Sequence, residues 1–207
     1  MQHMEPTETM ETAADNARSS GRVEPTRNQA IVHGLTAEPV TANVIDESFG
    51  GIGIEIPVKL NQGDDVDIAV NVEYGGVTCI ALVRHISAMD DGTKMGLEWK
   101  AQALSRCLRE ILSADTQVNR DLTRILPGGL SMMWKLFEAR RWEFLLDSAD
   151  RLRREVASAG IQELSQPITE FQEAVQSVID VPSAESSNQV CNALNGLIGH
   201  CVRLVSE

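Results

Sequence analysis

The apolar residues of this chain keep one period up to Trp99 and a different one beyond it. Val40, Ala42 and Val44 alternate with Thr41 and Asn43, and Ile52, Ile54 and Ile56 alternate with Gly53 and Glu55. Period 2 is the mark of strands with one buried face. Ala30 and Val32 open the pattern as a strand at about 28–34, and Val66, Ile68, Val70 and Val72 continue it in its cleanest stretch. Gly75-Gly76 suits a tight hairpin turn, after which Val77–Ile86 returns. Past a turn at Asp91-Gly92, Met95, Leu97 and Trp99 alternate with Gly96 and Glu98. Six short strands separated by turn signals predict a small closed barrel, since closure removes edges that would otherwise pair with other chains.

After Trp99 the spacing becomes helical. Leu104, Leu108, Ile111 and Leu112 share a face, predicting a helix at about 101–114 that packs on the barrel. Pro127-Gly128-Gly129 reads as a chain break. Leu130, Met133, Trp134 and Phe137 follow it, and then three longer stripes. Leu145, Ala149, Leu152 and Val156 run up to a C′ residue at Gly160. Leu164, Ile168, Phe171, Val175 and Val178 make the second stripe, with Pro167 tolerable only in the first turn. Pro182-Ser183 separates it from Val190, Leu194, Leu197, Cys201 and Leu204. The 4-3-4-3 spacings suit helices packed at shallow angles. The chain therefore reads as an α+β protein: a flexible leader at 1–17, a six-stranded antiparallel barrel with its helix at 18–115, a linker at 116–129, and a C-terminal helical bundle at 130–207.

Charge narrows the function. The net charge of −12 opposes non-specific binding to nucleic acid or anionic membrane. Residues 1–100 carry seven Lys/Arg against sixteen Asp/Glu, yet three of those seven (Arg18, Arg22 and Arg27) fall within ten positions. That clustering suits an anion held by one segment, or a solvated N-terminal arm. Cys79, Cys107, Cys191 and Cys201 lack C-x-x-C spacing and read as reduced core residues, and no histidine has zinc-ligand spacing. His200-Cys201 reads as a helix-face pair without catalytic partners. No nucleophile–base pair, metal set or P-loop is present, so no enzymatic activity and no cofactor are expected. The acidic N-terminus is unlike a signal peptide, and no apolar run reaches the ~20 residues of a membrane span. A cytoplasmic protein is expected.

The candidate site is the corner Asp46-Glu47-Ser48-Phe49-Gly50-Gly51 between the second and third strands. Asp46 and Ser48 offer hydrogen-bonding side chains at a strand end, and Gly50-Gly51 permits positive φ and close approach. The hexapeptide is a D-x-S-x-x-G match, and upstream Arg18-Ser19-Ser20-Gly21-Arg22 is an R-x-x-x-R. These two motifs, in this order and flanking a first predicted strand, resemble the PilZ domain, the receptor module for cyclic di-GMP. The resemblance covers about residues 17–115 and leaves 130–207 unassigned.

It implies a bacterial second-messenger receptor that binds cyclic di-GMP through Arg18, Arg22, Asp46, Ser48, Gly50 and Gly51. Arg27 is either an accessory phosphate contact or a plain surface charge. The chemistry agrees: arginine forks match guanine O6/N7 and phosphate, while a carboxylate complements the guanine N–H edge. The arginine arm would close over the ligand and switch contacts with the bundle or a protein partner. The alternative is a PilZ-like adaptor that binds no nucleotide and acts through its bundle. The helical stripes also permit a homodimer.

Overall fold

The computed structural model describes residues 25, 27–60, 67–100 and 120–206. The leader, Arg18, Arg22 and the helix expected at 101–114 lie outside the described residues. Six strands follow in chain order: β1 (Gln29–His33), β2 (Val40–Ser48), β3 (Gly51–Ile56), β4 (Ala69–Tyr74), β5 (Val77–Met89) and β6 (Gly92–Trp99). They form a closed antiparallel barrel in the order β1-β2-β3-β6-β5-β4, completed where β1 pairs with β4 as well as β2. Val32, Ala42, Ile54, Val72, Ala81 and Val83 are wholly buried, so the period-2 apolar set does fill the interior. Gly75 and Gly76 take φ of 62° and 77°, the double left-handed conformation that a two-residue hairpin needs.

One irregularity in β2 decides how the corner is presented. Val44 lies opposite Ile54 and Asp46 opposite Gly53, so Ile45 is an extra residue with no counterpart on β3. Such a bulge shifts the inward–outward alternation by one. Ala42 and Val44 are buried before it, and Glu47 is the buried residue after it. Asp46 and Ser48, which share parity with Ala42 and Val44, are thereby turned onto the outer face.

Four helices follow: α1 (Arg120–Glu138), α2 (Trp142–Ser158), α3 (Ser165–Asp180) and α4 (Ala184–Ser206). The first of them corrects the sequence reading. Pro127-Gly128-Gly129 is not a break, and residues 120–129 are not a linker; all three lie inside α1. An internal proline costs about 3 kcal/mol and each glycine about 1. Against this, Leu126, Leu130, Met133 and Leu136 are almost completely buried, each contributing about 1.5–3 kcal/mol. Burial wins. Residues 126–133 are all buried, because α1 lies between the barrel and the other helices, touching β3, β5, β6, α2 and α4.

The glycines are what let α1 come so close. A Cβ at Gly128 would collide with the Trp99 carbonyl, and one at Gly129 with the Phe49 ring. The other helices follow the expected stripes: Leu145, Ala149, Leu152 and Val156 on α2, Ile168, Phe171, Val175 and Val178 on α3, and Val190, Leu194, Leu197 and Cys201 on α4 are buried. Gly160 ends α2 at φ 74°, with Ile161 N–H donating to the Val156 carbonyl at 3.0 Å and Gly160 N–H to that of Ala157 at 3.1 Å. This is a Schellman closure. Pro167 is buried in the first turn of α3. Ser183 and Ser186 cap α4 reciprocally, each hydroxyl accepting the other's backbone N–H at 3.0 Å.

Replacing Gly129 with Val tests the docking of α1 directly. Overpacking against Phe49 should lower unfolding free energy by about 1–3 kcal/mol, read as a reduced urea midpoint; an unchanged midpoint would show that α1 does not press on the barrel there.

Candidate functional site

The corner lies at the end of the barrel covered by α1 and α2. Its two faces do different work. On the outer face, the cross-strand register places Asp46 opposite Gly53, Gly53 opposite Gly96, and Gly96 opposite His85. Next to that row, Ser48 lies opposite Gly51 and Gly51 opposite Glu98. The Asp46 carboxylate lies across Gly53, so near that a Cβ there would stand 2.7 Å from its carbon. Ser48 Oγ donates to the Gly51 carbonyl at 3.2 Å, a long bond that leaves the oxygen's acceptor capacity in place. The Asp46 carboxylate thus covers Gly53, and the open part of this outer strip is at half-buried Gly96, between that carboxylate and the His85 imidazole.

Two arginines near this face are engaged by carboxylates, while Lys94, two residues from Gly96 on the same side of β6, is exposed. Arg84 bonds Glu98 through Nε at 3.2 Å and pairs with Asp67, while Arg124 Nε approaches Glu98 at 3.5 Å. The Glu98 hydrogen bond raises the Arg84 pKa, with attraction to Glu98 and Asp67 adding to it. His85 Nε2 is 2.6 Å from Ser87 Oγ. The residues that lead into β1 form a further segment near this face. That segment is close: Val44 N–H donates to the Asn28 carbonyl at 3.0 Å, so the chain enters β1 beside the bulge.

The inner face belongs to the helices. Glu47 is 1% exposed and forms a buried ion pair with Arg151 of α2. Phe49 is buried, as a barrel plug rather than an exposed stacking ring, against Gly129. A Cβ at Gly50 would meet that of Ile125 on α1 at 2.7 Å. Neither Gly50 nor Gly51 has positive φ, so the positive-φ reading of that pair is corrected; close approach is what both supply, Gly51 against the Leu97 carbonyl. Gly50 thus faces α1 rather than the outer strip.

Arg27 is placed by α2 and β4. Its guanidinium carbon stands 5.2 Å from the centre of the Phe144 ring, and its backbone N–H donates to the Tyr74 hydroxyl at 3.3 Å. Its side chain is exposed and stacked on that ring. The sequence reading missed Glu47, Arg151, Gly53 and His85. Gly53 could have been found, as a glycine in an outward slot of a clean strand; the Glu47–Arg151 pair spans 104 residues and leaves no local sign.

Among the described residues no group of three or more His, Cys, Asp or Glu could hold a metal ion, and no helix is long and apolar enough to cross a membrane. Burial pushes the Cys201 thiol up to about 12, while its neighbour His200 is exposed and hydrogen-bonded to Arg203 at 3.0 Å. Burial raises Cys79 from 9.0 to about 11, with Lys135 opposing. A raised thiol pKa favours the protonated form in the folded state. The stability these thiols contribute is complete below pH 9.0 and is lost as pH rises towards 11 and 12. At pH 8, iodoacetamide should label half-buried Cys191 in the native protein but Cys79 and Cys201 only in denaturant, as read by peptide mass mapping. Native labelling of Cys79 or Cys201 would contradict their burial.

Comparison with known families agrees with this architecture. Residues 16–114 match the family model described as PilZ domain, and the helical region carries no family match. No curated protein and no solved structure matches the chain. That match spans the six-stranded barrel with its D-x-S-x-x-G corner, so this part of the chain is similar to the PilZ domain.

Proposed function

We propose that the protein is a cyclic di-GMP receptor whose arginine arm closes over the ligand against the β2–β3 corner. The observation that carries this is the bulge at Ile45, which turns Asp46 and Ser48 outward beside Gly53 and Gly51 at the point where the arm-bearing chain enters β1. Asp46 accepts from the N–H edge of a guanine, and Ser48 bonds to base or phosphate. Gly53 makes room for the Asp46 carboxylate, and Gly96 beside it leaves the backbone open to a base. Arg18 and Arg22 pair with phosphate and with guanine O6/N7. Reach supports the assignment: the six residues from Arg22 to Asn28 span at most about 20 Å extended, ample to bring Arg22 onto the Asp46 face. Arg27, stacked on Phe144, holds the base of the arm and contributes long-range attraction. Arm closure is then the switch, changing what the barrel end and the helices present to a protein partner.

Calorimetric titration of the full chain with cyclic di-GMP tests the assignment. Binding at micromolar ligand is expected. Arg22→Ala and Asp46→Ala should each weaken it by about 1–3 kcal/mol, the worth of a charge-assisted bidentate contact. Gly53→Ala, which displaces the Asp46 carboxylate, should reduce affinity with little change in melting temperature. A silent titration of the unmutated chain would instead favour a PilZ-like adaptor that works through protein contacts alone.

A further inference from the structure

The D-x-S-x-x-G corner is read from two sides. Asp46 and Ser48 face outward, whereas the intervening Glu47 points inward and is held by Arg151. A strand cannot reposition one of these side chains without moving its neighbours, so the Glu47–Arg151 pair constrains where Asp46 and Ser48 stand. A buried pair is a stringent constraint, because breaking it strands an uncompensated charge. Arg151 lies on α2, and seven residues earlier the same helix presents Phe144. Two turns apart, these side chains share one face. Phe144 supports the Arg27 guanidinium at 5.2 Å and meets the Tyr74 ring edge-on at 6.2 Å. One face of α2 therefore touches both halves of the proposed site: the corner through Arg151, and the base of the arm through Phe144.

We propose that Arg151 and Phe144 are positioning residues for the ligand site, and that through them ligand binding is coupled to the packing of α2. The inference rests on the cyclic di-GMP reading of the corner. Neither residue touches the ligand. Arg151 sets the height of the Asp46–Ser48 edge through Glu47, and Phe144 holds the Arg27 guanidinium just ahead of β1. Linkage makes the effect reciprocal: whatever α2 contributes to affinity, the ligand returns as a change in how firmly α2 is held. The helical region thereby becomes the output of the barrel.

The test uses the full chain with cyclic di-GMP as titrant. The paired variant Glu47→Gln/Arg151→Met removes both charges together, which a buried pair tolerates far better than loss of one partner. This variant and, separately, Phe144→Leu should each weaken binding by about fivefold or more, within the usual span of coupling between sites. Ligand-free melting temperatures should stay near that of the unmutated chain, and Arg151→Lys should retain part of the affinity. On the unmutated chain, saturating ligand should change amide hydrogen exchange within residues 142–158. Variants that bind within twofold of the unmutated chain would overturn the coupling. So would ligand that binds yet leaves exchange in α2 unaltered, and that readout decides the matter if a variant melts too low to titrate. No heat with the unmutated chain would remove the cyclic di-GMP reading and this inference together.

Discussion

A single extra residue, Ile45, sets the arrangement of the corner. With β2 in unbroken alternation, Asp46 and Ser48 would follow Ala42 and Val44 into the barrel, and Glu47 would face solvent. The bulge inverts that assignment over the last residues of the strand. Two polar side chains reach the outer face beside Gly53 and Gly51, and one carboxylate is driven inward to where a guanidinium waits on a helix. Bulges recur where a strand must re-aim side chains near a site. Here the re-aiming acts on both faces at once.

Close backbone approach is the second constraint. The barrel end is closed by a helix whose middle is buried on all sides, and such a helix can sit that near only where it lacks side chains. Gly128 and Gly129 provide the clearance on α1, and Gly50 provides it on the corner. The same residues that weaken α1 as an isolated helix allow it to dock. Its stability therefore comes from contact with the barrel, and the barrel end and the helices are one packed unit.

The barrel was legible in the sequence because each strand buries one face, and period 2 records that directly. The helices were legible for the corresponding reason. Pro127-Gly128-Gly129 misled because local propensity favours a break there, and only the barrel surface opposite explains why helix prevails. The bulge left little trace: Val44-Ile45 is apolar at both positions, so the alternation blurs where it slips. At the candidate site, Asp46 and Ser48 could be read from the motif. Glu47 looked like a spacer between them. Its role depends on Arg151, far along the chain and beside an otherwise apolar stripe, a relation that only tertiary structure reveals.

The account stands on the division of the corner into an outward ligand face and an inward helix face. A crystal structure of the full chain grown with cyclic di-GMP tests it most directly. The account predicts the nucleotide on the outer face of β2 and β3, with Asp46 at hydrogen-bonding distance from a guanine N–H edge and Glu47 still paired with Arg151. Ligand bound away from that face, or Glu47 turned outward to meet it, would contradict the account.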